Sequence, residues 1–304
     1  LFNKMTRKER IKVAFADFWP NFIKNDNYFY HLLNQEFEVI IDEKNPDLLF
    51  HSVDYSNKKE HEKYDMTKTK KIFYTGENLD PDYENTHASL SFNKTNNQNY
   101  RLPLWVLHIN WFNIGYRKNR DQSYLLDLHQ LLNKRPTKYR KTKFCSFIAT
   151  KPSGKRTDFV PLLNNVKKVD CAGRLFNNTK KNIKGRGDQK WKMNFLKRYK
   201  FNICFENSST SGYVTEKIIQ SMYVNSIPIY WGAPNIINDF NTNSFINYHD
   251  YENDKEFIDK IMEIDTDYEQ YMNLLKQPWF NNNAIPESVL PGNILKFINN
   301  VLNN

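Results

Sequence analysis

Cysteine is scarce: three in 304 residues, at 145, 171 and 204, each alone among apolar neighbours (KFCSF, VDCAG, NICFE). An odd number of separated cysteines argues against a disulfide framework or a zinc site, so they read as buried thiols on strands and point to a reducing cytosol. The seven histidines never pair four residues apart, which leaves a histidine metal cluster without local support. No apolar run reaches the length of about 18 residues that a bilayer-spanning helix needs. The opening LFNKMTRKER, which starts at Leu1, lacks the apolar core of a secretion signal. Also missing are Gly-x-Gly-x-x-Gly, Gly-x-x-x-x-Gly-Lys-Ser/Thr and Gly-x-Ser-x-Gly. These absences disfavour the common dinucleotide and P-loop sites and the hydrolase nucleophile elbow. There is no internal repeat and no heptad array.

What is present is aromatic and basic. Aromatics make up 15% of the chain and hydrophobic residues 39%, a composition that folds rather than one that stays disordered. The length suits two domains of about 150 residues. Net charge is +10, and residues 134–156 carry nine basic residues and no acid. That run either draws in an anion (nucleic acid, lipid surface or phosphorylated small molecule) or is a solvated linker between domains. Aromatics are not interleaved with it, which speaks against nucleic acid.

Short apolar runs alternate with helical stretches. Strands are expected at 11–17, 37–41, 47–50 and 71–78, with a helix at 25–35. A second series follows: a strand at 144–149, a helix at 157–166, a strand at 201–207, a helix at about 214–224, strands at 226–231 and 244–248, and closing helices. This order predicts an α/β protein with two parallel-sheet units, divided into residues 1–135 and 136–304, with the active site in the cleft between them. Ligands collect beyond the carboxyl ends of such strands, which singles out Asp17 and Glu77 in the first unit.

The stretch ENSSTSGYVTEKIIQSMY, 206–223, sets a small-residue loop before a helix start. Unpaired N–H groups after Gly212, with Arg156 and Lys217, could bind a diphosphate, while Glu216 takes ribose hydroxyls and Tyr213 and Asn207 edge the ligand. The same residues also fit an ordinary capped helix turn, with Thr215 or Ser211 as the cap. Glu77 could remove a proton from an attacking sugar hydroxyl, or could simply close a polar turn with Asn78. The triplets Asp80-Pro81-Asp82 and Asp265-Thr266-Asp267 are poorly placed for a metal, and a capping role suits the second better.

Residues 200–250, with FYTGEN at 73–78 and RLPLW at 101–105, closely resemble the alpha-1,3-fucosyltransferases of glycosyltransferase family 10, especially the bacterial Helicobacter-type enzymes. The resemblance implies a glycosyltransferase B-type fold, in which two Rossmann-like domains face each other across a cleft. The first is expected to serve the acceptor and the second the GDP-fucose donor. It makes Glu77 the general base, Arg156 and Lys217 the diphosphate ligands, Glu216 the ribose ligand, and Tyr213 and Asn207 further donor contacts. The implied reaction is inverting transfer from GDP-β-L-fucose to the 3-hydroxyl of N-acetylglucosamine in an N-acetyllactosamine-type acceptor. No cofactor or metal is required and no nucleic acid is involved. The alternative is another nucleotide-sugar-dependent transferase of the same fold. A cytoplasmic location is expected, at the inner face of a bacterial membrane if parts outside this chain make peripheral contact with it. Residues 79–100 and 110–122 are where acceptor contacts are expected.

Overall fold

The computed structural model describes residues 8–53, 58–114, 125–134, 141–179 and 189–304. Two all-parallel sheets follow one another along the chain. The first holds β1 (Arg10–Ala16), β2 (Glu38–Ile41), β3 (Leu48–His51), β4 (Lys70–Tyr74), β5 (Ala88–Ser91) and β6 (Asn99–Arg101), in the order β2-β1-β3-β4-β5-β6. The second holds β7 (Lys143–Phe147), β8 (Val169–Cys171), β9 (Tyr199–Phe205), β10 (Ile227–Trp231) and β11 (Ile246–Asn247), in the order β8-β7-β9-β10-β11. Within the first sheet lies α1 (Tyr28–Leu33), and α2 (Leu128–Leu132) precedes the second. The second is interleaved with α3 (Gly154–Val166), α4 (Gln189–Leu196) and α5 (Glu216–Tyr223), and α6 (Asp254–Thr266), α7 (Tyr268–Lys276) and α8 (Pro291–Asn303) close the chain.

In each sheet the strand order reverses around the first strand, between β1 and β3 and between β7 and β9. Such reversals open a crevice beyond the carboxyl ends of the strands. The central strands are buried on both faces, which explains why they read as nearly continuous apolar runs. The three cysteines sit on β7, β8 and β9 as buried free thiols, as expected.

β5 and β6 carry no apolar run, and the sequence does not announce them. In ASLS and NYR, Ala88 and Leu90 enter the apolar core while the Ser89 and Ser91 hydroxyls both donate to Asn99 Oδ1 at 2.7 Å. They fall in the segment expected to supply acceptor contacts, and they form the edge of the sheet. Helix α3 begins three residues earlier than expected, with Ser153 in the N-cap position, and this places Arg156 in its first turn.

One apolar cluster spans both halves, joining Phe15, Phe50, Ile72 and Trp105 to Ile218, Met222, Tyr230, Phe240 and Ile294. A second lies against the other sheet, with Phe147, Phe159, Phe205, Phe257 and Ile261. The closing helices do not all stay with the second half. Helix α8 buries Ile294, Leu295 and Ile298 in the shared cluster and lies against α1, and Asn299 Nδ2 donates to Glu36 Oε2 at 2.7 Å. The expected division at 135/136 and most of the 110–122 loop lie outside the described residues. Among the described residues no helix is long and apolar enough to cross a membrane.

Candidate active site

Strand β9 delivers Phe205, Glu206 and Asn207 to the carboxyl edge of the second sheet, beside its order reversal. From the first turn of α3, Arg156 reaches under this edge, where Nε and Nη2 donate to Phe205 O at 3.0 and 2.7 Å. Its side chain is buried, and a guanidinium placed there holds its charge while presenting its remaining donors in a fixed plane. Glu206 is fully buried. Its carboxylate accepts from Thr215 N at 2.7 Å, from the Thr215 hydroxyl, and from Lys217 Nζ at 2.8 Å.

The neighbours Glu216 and Lys217 point to different partners. Lys217 is held by Glu206 and by Thr215 Oγ1 at 2.7 Å, whereas Glu216 accepts from Lys192 of α4 at 3.0 Å. Burial alone would discharge both. Against that, Glu206 and Glu216 lift Lys217 above the ordinary lysine value, despite the repulsion of Arg156. Lys192, Lys217 and His108 similarly overcome desolvation at Glu216 and hold it well below the carboxylate range. Both side chains therefore stay ionised in a water-poor site.

The expected free N–H groups at the start of α5 are already used in part. Thr215 N–H goes to the buried Glu206 carboxylate and Gly212 N–H to Asn235 Oδ1, both at 2.7 Å. Thr215 occupies the N-cap position, but its hydroxyl donates to Glu206 and makes no capping bond. At Gly212, φ is +83° and a Cβ would fall 2.3 Å from Phe92 O, so only glycine fits between the halves. Its carbonyl accepts from Arg101 Nη2 at 2.9 Å.

In the loop before α5, exposed Asn207 donates to the Tyr213 hydroxyl at 3.4 Å, and the buried Tyr213 ring meets Phe92 edge-on at 5.8 Å. Burial raises the Tyr213 hydroxyl, and the charges of Glu206, Glu77 and Glu216 raise it further. Glu77 thus lies within electrostatic reach of the donor loop although it belongs to the other half. It follows β4 in a turn fixed by Thr75, whose hydroxyl accepts from Glu77 N at 3.0 Å. Asn78 does not close that turn; it crosses to Ser208 and Thr210. Of the six residues singled out for the site, Arg156, Asn207, Tyr213, Glu216 and Lys217 stand at the end of β9 and the start of α5, and Glu77 stands on the turn that Asn78 ties to the loop between them.

Asp17 has a different role. With φ at +59° it accepts from Glu60 N and His61 N, both at 2.9 Å, and so ties down the turn at 60–63. Beyond it lies a cavity of ≈ 360 Å³ whose lining includes Trp19, Phe22, Glu43 and Tyr64. The Asp-x-Asp triplets are committed elsewhere. Asp80 takes Asn93, Asp82 takes Glu84 N, Asp265 pairs with Lys200 and Lys167, and Asp267 caps α7. Among the described residues no group of three or more His, Cys, Asp or Glu side chains is placed to hold a metal ion. Among the described members of the basic run, Lys134 and Lys141 bond helix-end carbonyls and Lys143 and Lys155 pair with Asp170 and Asp254; 135–140 lie outside the described residues.

Residues 13–108 match the family model of the alpha-(1,3)-fucosyltransferase FucT N-terminal domain, and residues 137–287 match that of glycosyltransferase family 10 (fucosyltransferase), C-terminal part. The chain belongs to glycosyltransferase family 10. The alpha-(1,3)-fucosyltransferase FucT of Helicobacter pylori is 32% identical over 293 residues, 87% of this chain and 59% of that protein. The chain thus spans about three fifths of the length of that curated relative. A crystal structure of an alpha1,3-fucosyltransferase matches with a TM-score of 0.77 at 27% identity, over 100% of this chain and 93% of that one. Another, solved with GDP-fucose, gives 0.74 at 27% identity, covering 100% and 94%. These family structures bear out the expected glycosyltransferase B-type fold. The HepE protein of Anabaena, solved with UDP and glucose, matches at 9% identity with a TM-score of 0.52 over 96% and 99%, a likeness of fold alone.

Sequence reasoning missed Glu206, Lys192 and the Arg101–Asp239 pair. Glu206 was visible only as an acid ending a buried strand, FNICFE, and its partners are nine and eleven residues on. Lys192 and Arg101 carried no local signal, because their partners are distant in sequence.

Proposed function

We propose that this chain transfers L-fucose from GDP-β-L-fucose to the 3-hydroxyl of N-acetylglucosamine in a lactosamine-type glycan, with inversion at the anomeric carbon. The observation that carries the reading is that the turn of Glu77 is tied, through Asn78 to Ser208 and Thr210, to the loop beside a buried strand end where Phe205 O and Glu206 hold the two cations Arg156 and Lys217. The family relatives named as alpha-1,3-fucosyltransferases, one of them solved with GDP-fucose, support the donor.

In this reading Glu77 accepts the proton of the acceptor hydroxyl as its oxygen attacks the anomeric carbon, and the bond from that carbon to the diphosphate oxygen breaks. GDP leaves with the bonding pair. Arg156 and Lys217 stabilise the charge it gains, so the leaving group needs no separate acid. Ionised Glu216 accepts from the ribose hydroxyls, and Tyr213 and Asn207 edge the nucleotide. One carboxylate suffices because inversion forms no sugar-enzyme bond. The aromatic-lined cavity beyond β1 lies on the same carboxyl edge as Glu77 and suits further sugars of the acceptor.

The test is product formation from GDP-fucose and N-acetyllactosamine with EDTA present, read by mass spectrometry for the wild type and Glu77→Ala. A fucosylated product from the wild type alone is expected. Neither product nor free fucose from the wild type would refute the donor assignment.

A further inference from the structure

The dipeptide Phe205–Glu206 touches both cations of the site: its carbonyl holds Arg156 and its carboxylate holds Lys217. Nothing in the reaction as described uses Glu206. It is 0% exposed, and a carboxylate in such a place is tolerated only when donors converge on it. Here Thr215 supplies a backbone and a hydroxyl donor and Lys217 supplies the charge. Lys217 in turn spends two of its three N–H donors on Glu206 Oε2 and Thr215 Oγ1, which fixes where the third points. Gly232 makes the room, since a Cβ there would fall 2.6 Å from Glu206 Cγ.

We propose that Glu206 is a positioning residue for the donor diphosphate: it aims the Lys217 ammonium at the phosphate and keeps it charged, without touching the donor itself. This rests on the donor reading above. The charged or titratable groups facing Lys217 are Glu206 at the end of β9, the Cys204 thiol on β9, which burial keeps protonated, Glu216 on α5, Arg156 on α3 and His108 on the turn at 104–108. Without the Glu206 charge only Glu216 favours the ammonium, while burial and Arg156 oppose it, so Lys217 would give up its proton at a lower pH.

The experiment is GDP affinity by titration calorimetry at pH 7 and 8.5 on the full chain. It compares the wild type with Glu206→Gln, Glu206→Asp, Lys217→Met and the Glu206→Gln/Lys217→Met pair. Wild-type and Glu206→Asp affinities should each change by less than about threefold between the two pH values, and that of Glu206→Gln should fall by about tenfold or more. On a Lys217→Met background, Glu206→Gln should add less than about a twofold loss. Equal pH dependence in wild type and Glu206→Gln, or an equal loss with and without Lys217, would overturn the proposal and leave Glu206 a support of the fold. If Glu206→Gln does not fold, the same cycle is run with Glu206→Asp at pH 7. A loss of about tenfold is then expected with Lys217 present and almost none without it, and an equal loss again overturns the proposal. A wild type that does not bind GDP sinks the donor reading and this inference with it, whereas GDP binding with equal slopes sinks this inference alone.

Discussion

Asn78, one residue beyond Glu77, donates its side-chain amide to Ser208 Oγ at 2.6 Å and to Thr210 Oγ1 at 3.0 Å. The turn that carries the proposed base is thereby tied to the loop that carries Asn207 and Tyr213, so the proposed base and the proposed donor contacts share one frame. Asn78→Ala should lower kcat about tenfold by loosening that frame and change GDP affinity by less than about twofold. Steady-state kinetics beside calorimetry would show it, and equal losses in both would count against the coupling.

Glu77→Gln keeps the size of the side chain and the backbone contacts of its turn but cannot take a proton. We expect kcat to fall by about 10²- to 10⁴-fold with the melting temperature held. A variant that turns over normally would remove Glu77 from the chemistry.

Arg101 grips Asp239 with two parallel bonds, at 2.8 and 2.6 Å, and joins the edge strand of the first sheet to the second half. Asp239 is only 1% exposed. Arg101→Met strands that charge and should cost about 3–5 kcal/mol in chemical denaturation. Adding Asp239→Asn should recover part of the loss; no recovery would mean that the pair is not what holds the interface.

Lys141 donates to Val224 O at 2.8 Å and Ser226 Oγ at 2.6 Å, at the end of α5, and burial lowers it from 10.5 to about 7. The unfolded chain therefore binds this proton more tightly than the folded one. From this group, stability rises with pH between about 7 and 10.5 and is flat below. Melting temperatures from pH 7 to 9 should climb less steeply in Lys141→Met than in the wild type, and parallel curves would contradict this.

The parallel sheets were legible because their inner strands are apolar on both faces, as in KVAFA and FNICF. The resemblance to the family motif singled out Glu77, Asn207, Tyr213, Glu216 and Lys217 by local pattern. What escaped were relationships between distant residues. Glu216 and Lys217 look like a pair in sequence, yet their side chains bond different partners, Lys192 and Glu206. β5 and β6 escaped because serine and asparagine, bonded to one another by their side chains, break up the apolar run that Ala88 and Leu90 would otherwise signal.

Helix α8, the last element, lies on α1, among the first. During synthesis on the ribosome, the side of α1 that α8 covers therefore stays open until residues 291–303 have been made. The first half emerges early and matures last, and in that interval its open core is where a chaperone would bind or a stalled chain would aggregate.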